Sequence, residues 1–295
     1  MKITFLGTSA MLPTKERNPS SILIEYKSDG LLIDCGEGTQ KQIRMAGIKP
    51  TKITKLLITH FHGDHILGIP GLMQSLVANN YEGVLEVYGP EKTAYYLKNL
   101  LKGFIAKGIV KIKVYELKDN KKFFENKDFT LSCKKVKHDI PCLAYSFKEK
   151  DTLKVNIEYT KKFGLTQHPL LGDLQRGKSI KYEGKKIDVK KATIKKPGRK
   201  ISIVLDTLPE LSIAKFVENS DVLICDSTWD ERSKNKKGFH MTNLDAAKMA
   251  KKSKSKKLIL THFSQRYKTA DELVKEAKKI FKETHEAKDF AIFNV

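Results

Sequence analysis

The chain has 295 residues, 40% of them hydrophobic, enough to bury a substantial core as one large α/β domain or two smaller ones. Lys and Arg number 56 against 34 Asp and Glu, and the resulting formal charge of +22 favours a polyanionic partner such as nucleic acid, although biased genomes and thermal adaptation also enrich lysine. No apolar run approaches a membrane span, the opening segment Lys2-Ile-Thr-Phe-Leu6 is strand-like with no signal-peptide core, and Cys35, Cys133, Cys142 and Cys225 lie in apolar surroundings without C-x-x-C spacing. These features suggest neither a membrane span, nor a disulfide framework, nor a cysteine-rich zinc site, and a soluble cytoplasmic protein is expected.

In chain order, residues 2–7, 21–26 and 31–34 predict strands, 39–46 a helix, and the β-branched stretch 53–59 another strand. Helices are expected at 69–77 and 92–101, on either side of a strand at 84–88. Strands follow at 109–115, 129–136 and 143–147, many of them compatible with antiparallel hairpins. From 151 to 199 the apolar periodicity weakens and Lys161, Lys162, Arg176, Lys178, Lys185, Lys186, Lys190, Lys191, Lys195, Lys196 and Arg199 accumulate. That segment is too polar for a core layer, yet Phe163, Leu165, Leu170, Leu171 and Leu174 argue against disorder, so composition points to an inserted, protruding basic arm or an ordinary solvated insertion in an otherwise single domain 1–295, the arm being the expectation. Strands then resume at 201–205, 222–225 and 258–261, with helices at 211–218, 244–252 and 270–281 and a last strand at 290–293. Two strand-rich halves, each with its own helices, predict two sheets packed face to face and covered outside by helices, with strand ends from both halves at one edge.

The run Thr59-His-Phe-His-Gly-Asp-His65 ends the strand at 53–59 and concentrates three of the chain's eight histidines with a carboxylate. Imidazole and carboxylate suit Zn²⁺, and positions two apart on extended backbone point the same way. His60 and His62 are thus expected to share one metal while Asp64 and His65 turn toward a second. A closed structural zinc would recruit cysteines instead. His138, Asp206 and His262 each follow a predicted strand, and taken singly each is as readily a cap or packing residue. Together with the cluster they complete a dinuclear set: His60, His62, His138 and Asp206 on one ion, Asp64, His65, His262 and the shared Asp206 on the other. Asp34, also at a strand end, is expected to orient a ligand rather than bind metal.

The cluster, His138, Asp206 and His262, in this order, resemble the metallo-β-lactamase superfamily, and within it the ribonuclease Z family of endonucleases that remove the 3′ trailer of precursor tRNA. The resemblance runs nearly end to end. Thr4-Phe-Leu-Gly-Thr8 opens as that family does, Pro13-Thr-Lys-Glu-Arg-Asn18 is similar to its P-x-K-x-R-N loop, and Leu260-Thr-His-Phe-Ser-Gln-Arg-Tyr267 to the segment of its last histidine ligand. The stretch Gly164 to Gly177 resembles its tRNA-gripping exosite. The resemblance implies an αββα sandwich, two Zn²⁺ per subunit, and a homodimer in which each arm grips tRNA bound at the other subunit's site. It implies tRNA contacts from Lys15, Arg17, Asn18, Ser264 and Arg266, and from Arg176 and Lys178 in the arm. It also makes Asp64 the acceptor of the water's proton and His240, oriented by Asp226, the donor to the leaving group. Three departures stand out. Cys225-Asp-Ser-Thr228 replaces His-Glu-Ala-Thr, so Asp226 is one methylene shorter than the usual Glu; His240-Met-Thr242 replaces His-Ser-Thr; and His168-Pro169 replaces Gly-Pro, where glycine would take a positive φ without steric cost. A hydrolase of small esters or thioesters from the same superfamily is the competing reading, and a non-catalytic RNA-binding protein a second. The basic segment and the loop at 13–18 argue against the first, the complete ligand set against the second.

Overall fold

The computed structural model describes residues 1–103, 110–118, 121–236 and 238–295. The chain divides into two compact units, one of Met1–Phe124, Leu131–Phe147 and Lys200–Val295, the other of Glu125–Thr130 and Lys148–Arg199.

The first unit holds two seven-stranded sheets. One runs in the order Ile292–Asn294, Lys2–Gly7, Ser21–Tyr26, Asp29–Ile33, Ile53–Leu57, Val84–Gly89, Lys111–Glu116. Its first three pairings are antiparallel and its last three parallel. The hairpin expectation is therefore corrected for this half: helices Thr39–Met45, Ile69–Ala78 and Thr93–Lys102 lie in the connections and return the chain for parallel pairing. The strand expected at 109–115 starts at Lys111, and residue 109 lies outside the described residues. The other sheet runs Thr284–Glu286, Leu258–Thr261, Val222–Asp226, Lys200–Val204, Cys142–Glu149, Phe129–Val136, Lys121–Glu125, and its first four strands are parallel. Val222–Asp226 and Leu258–Thr261 are buried throughout, as strands covered on both faces must be, whereas Phe129–Val136 largely alternates buried and half-exposed positions. The edge strands Thr284–Glu286 and Lys121–Glu125 were not expected, because neither offers more than two apolar residues to reveal a period.

Three helices, Leu211–Phe216, Asn243–Lys252 and Asp271–Lys278, cover the second sheet and bury Ile213, Ala246, Ala250, Leu273 and Ala277 against Leu223, Cys225, Leu258 and Leu260. Asn243–Lys252 starts at a reciprocal cap, in which Thr242 and Asp245 each accept the other's backbone amide. Ile43, Ile69, Leu72, Leu76 and Leu97 cover the first sheet in the same way. Between the sheets, the Tyr145 hydroxyl donates to the Ile58 carbonyl at 2.7 Å and Phe147 meets Tyr26 edge to face at 5.3 Å. Each fully buried aromatic contributes about 1.5–3 kcal/mol. Helix, sheet, sheet, helix is the layer order of the expected αββα sandwich.

The second unit pairs Thr152–Val155 with Thr193–Lys196 and Ile180–Tyr182 with Lys185–Ile187, and carries the short helices Ile157–Lys161, Leu171–Gln175 and Val189–Ala192. The expectation that this stretch is too polar for a core is corrected. Val155, Leu165, Leu174, Ile180, Ile187 and Ala192 are buried together, flanked by Tyr159, Phe163 and Tyr182. These residues come from so many short elements that no period marks them in the sequence. His168 is not among the residues of positive φ, so the steric cost expected there does not arise; its Nδ1 accepts the Leu170 amide at 3.1 Å and its ring packs 5.4 Å from Tyr182.

Asp289 ties distant parts of the first unit together. It accepts hydrogen bonds from the Thr8 hydroxyl, the Asn18 amide and the Gln42 side chain, each at 2.8 Å. Burial outweighs these bonds and pushes its pKa up to about 6. The folded state therefore holds more protons than the unfolded chain between about pH 4 and 6, and the stabilisation present below that window is lost as the pH rises through it. In thermal unfolding from pH 4 to pH 7, the wild type is expected to lose stability relative to Asp289→Asn, by on the order of 1–3 kcal/mol; a pH-independent difference would contradict this.

Candidate metal centre

Strands in both sheets, most of them parallel, deliver the candidate residues from their C-terminal ends, where open α/β sheets bind ligands. Ile53–Leu57 runs on to His60, and Asp29–Ile33 to Asp34. From the second sheet, Phe129–Val136 leads to His138, Lys200–Val204 to Asp206, Val222–Asp226 ends in Asp226 itself, and Leu258–Thr261 leads to His262. Asp34, Asp206 and His262 leave their strands with φ of 57°, 42° and 59°. Left-handed backbone at non-glycine residues costs about 1–3 kcal/mol each and persists where the surroundings fix it, typically at functional sites.

The ligating atoms fall into groups within 4.8 Å: His60, His62 and His138; Asp64, His65 and His262; His60, His65 and Asp206; and Asp206, His240 and His262. Asp206 reaches both sides, its Oδ1 3.3 Å from Nε2 of His262 and its Oδ2 3.5 Å from Nε2 of His65 and 3.7 Å from Nε2 of His60. His62 Nδ1 lies 3.1 Å from His60 Nε2 and 3.2 Å from His138 Nε2. Asp34 joins none of these groups.

Two imidazoles are aimed from behind by matched carboxylate and hydroxyl partners. Asp34 Oδ2 is 2.6 Å from His65 Nδ1 and accepts the Thr59 hydroxyl, while Asp34 Oδ1 accepts the Thr59 amide. On the other side, Thr228 Oγ1 is 2.9 Å from His262 Nδ1 and donates to Asp226 Oδ1 at 2.6 Å. Both rings thereby turn Nε2 inward. The residues Thr59 and Thr228 were missed as functional in the sequence, although each sits in a motif quoted above.

Burial opposes the charge on these groups, but their mutual attraction prevails for four of them. Asp206, and likewise Asp64, is held well below the usual carboxylate range by the facing His65 and His262 imidazoles. His65 is raised by Asp206, Asp34 and Asp64, and His262 is raised to about 10 by Asp206, Asp226 and Asp64. His60 goes the other way, lowered by burial and by neighbouring His65. The carboxylates thus demand positive charge at the centre. Nε2 of His65, Nε2 of His262 and Oδ1 of Asp206 are buried without a hydrogen-bond partner among the described residues. Orphaned donors of this kind, all nitrogen and oxygen and none from cysteine, fit borderline divalent cations that displace the protons on binding.

The centre opens into a cavity of about 430 Å³, walled by Met11, Asp64, Trp229, His240, Ser264 and Arg266 among others. The Met11 amide donates to Asp64 Oδ2 at 2.7 Å, and the Arg266 guanidinium lies 5.1 Å over the Trp229 ring; no sequence pattern marked Met11 or Trp229. Despite its shorter side chain, Asp226 reaches His240, with Oδ2 3.2 Å from Nδ1. Asp226 is lowered to about 2 by His240 and His262 against the effect of burial, and His240 is raised by Asp226 and Asp206.

In the loop at 13–18, Lys15 is exposed, but Arg17 is only 7% exposed: its Nη1 donates to the Tyr267 carbonyl at 2.8 Å and its guanidinium lies over Phe263. Asn18 donates its side-chain amide to the Glu37 carbonyl at 2.6 Å. Arg17 is thereby tied to the segment that carries Ser264 and Arg266, and Asn18 to the turn at Glu37, while Lys15 alone of the three is exposed. Arg176 and Lys178 are exposed in the second unit, where Arg176 pairs with Asp173.

The profile of the Anti-Pycsar protein Apyc1 family matches residues 1–161. The ribonuclease Z of Enterococcus faecalis is 38% identical, covering 100% of this chain and 97% of that protein, and that of Thermococcus gammatolerans 37% identical, covering 96% and 90%. Among solved structures, the short form of human tRNase Z superposes with a TM-score of 0.74 at 26% identity, covering 100% of this chain and 99% of that one. The metallo-β-lactamase fold protein YhfI of Bacillus subtilis, at 20% identity and a TM-score of 0.72 with 99% and 98% covered, shares the fold. With full-length relatives at this identity, the chain belongs to the ribonuclease Z family of metal-dependent hydrolases with the metallo-β-lactamase fold.

Proposed function

We propose that the protein is a zinc-dependent endoribonuclease that removes the 3′ trailer of precursor tRNA. The observation that carries this reading is Asp206, shared between two imidazole groups on the floor of a cavity walled by Ser264 and Arg266 in a chain of formal charge +22. The names of its relatives, ribonuclease Z and tRNase Z, support the substrate and disfavour a small-ester hydrolase. Two Zn²⁺, one held by His60, His62, His138 and Asp206 and the other by Asp64, His65, His262 and Asp206, would acidify a water and polarise the scissile phosphate. Asp64, fixed by the Met11 amide, accepts the water's proton. Ser264 and Arg266 hold phosphate. His240, kept protonated by Asp226 on Nδ1, presents Nε2 to the 3′ oxygen of the tRNA. The bond from phosphorus to that oxygen breaks as the bond to the water oxygen forms, which leaves a 3′-hydroxyl on the tRNA and a 5′-phosphate on the trailer.

In this reading the basic residues of 151–199, with Arg176 and Lys178 foremost, act as an exosite arm for the tRNA body, and two copies pair so that each arm serves the other's site. The cytoplasm, where precursor tRNA would be met, is the proposed location. No helix among the described residues is long and apolar enough to cross a membrane.

Mapping the ends of a cleaved precursor tRNA tests the activity, and products without a 3′-hydroxyl on the tRNA would refute it. In the same assay His240→Ala is expected to lose about 10²–10⁴-fold on precursor tRNA, but less than about tenfold on bis(p-nitrophenyl) phosphate, whose nitrophenolate departs without a proton. Equal losses on both would place His240 at the metals rather than at the leaving group. Deleting 155–195 is expected to weaken tRNA affinity by about tenfold or more while hydrolysis of the small diester persists. Mixing that deletion with His262→Ala subunits should restore precursor cleavage if arms act across the dimer, and no restoration would contradict it.

A further inference from the structure

His62 also lines a second cavity, of about 620 Å³, which shares no other lining residue with the first. Its walls are aromatic and aliphatic. Phe61, Ile66 and Leu100 pack back on the core of the first sheet, so this side of the cavity is fixed. Tyr96, carried by helix Thr93–Lys102, lies over Phe61 with ring centroids 5.0 Å apart and planes 36° apart. Tyr95 meets Tyr96 edge to face at 5.4 Å, and Tyr96 remains 42% exposed. Lys92, with Glu91 beside it, stands at the same wall and is exposed.

A cavity of this size and lining suits a planar, largely apolar group; a phosphate would find no cluster of cations inside it. Nucleobases stack on aromatic side chains irrespective of sequence, while a nearby lysine offers the backbone a cation. The direction of the chain follows from the chemistry. His240, which serves the 3′ oxygen of the tRNA, lines the first cavity with Ser264 and Arg266, and none of the three lines the second. An RNA strand held with its tRNA side at His240 and its scissile phosphate at the metal ligands crosses the centre past His62 and meets Tyr96 on the trailer side.

We propose that the second cavity is a trailer-side base subsite, in which the nucleobase of the first trailer nucleotide stacks on the Phe61 and Tyr96 pair. The proposal rests on the precursor-tRNA reading above. Its test uses two precursors that differ only in whether the first trailer nucleotide carries a base or is abasic. For each, kcat/KM is measured with the wild type and with Tyr96→Phe, Tyr96→Leu and Tyr96→Ala. Removing the base is expected to cost the wild type and Tyr96→Phe about tenfold, and Tyr96→Leu and Tyr96→Ala less than about twofold. Tyr96→Leu keeps bulk on the helix while removing the ring face, so a folding defect in Tyr96→Ala does not decide the result. No base penalty in the wild type, or the same penalty in all four proteins, overturns the subsite alone. A wild type that cuts neither precursor overturns the precursor-tRNA reading and the subsite with it.

Discussion

Asp206 carries two oxygens into a space bounded on one side by imidazoles from the first sheet and on the other by His262 from the second. Buried and turned off its strand at φ 42°, it stays ionised only because those imidazoles face it. An isolated buried carboxylate would cost several kcal/mol or take up a proton. The packing of the two sheets, the strand ends at one edge and the left-handed turns at Asp34, Asp206 and His262 all bring these charges together. Stability and function meet here, since opposed charges and orphaned donors crowd together at a centre that cations would complete.

The surroundings of that centre show a repeated solution to one problem, the aiming of an imidazole. Asp34 with Thr59 holds His65, and Asp226 with Thr228 holds His262, one pair from each sheet. Asp226 does more, because its second oxygen meets both the Met241 amide and His240. The shorter side chain thus keeps contact with His240, and with it the group proposed to supply the leaving oxygen's proton. Arg17 bonds the segment that presents Ser264 and Arg266, through the Tyr267 carbonyl, and Asn18 bonds the Glu37 carbonyl.

The layers and the gathering of the candidate ligands were legible in the sequence because long apolar strands carry their period openly and because His60, His62, Asp64 and His65 crowd into one turn. The strand at 129–136 was bounded to the residue for the same reason. Parallel pairing was not legible, since a strand's direction depends on where its connecting helix returns it rather than on its own residues. The small core of 148–199 was hidden by being gathered from short elements among lysines. The orientation of Arg17 was not legible, because a motif records which residue is present and not whether its guanidinium turns outward or toward the Tyr267 carbonyl. Thr59, Thr228, Trp229 and the Met11 amide have no spacing that announces them; their roles exist only once residues distant in the chain are brought together, as Thr59 is with Asp34 and Thr228 with His262.

The proposed function requires Asp206 to serve two cations, and metal content measures this most directly. Elemental analysis of protein equilibrated with Zn²⁺ and freed of excess should give two ions per chain for the wild type and one or none for Asp206→Ala, with both proteins folded by circular dichroism. A single ion in the wild type, or two retained by Asp206→Ala, would contradict it.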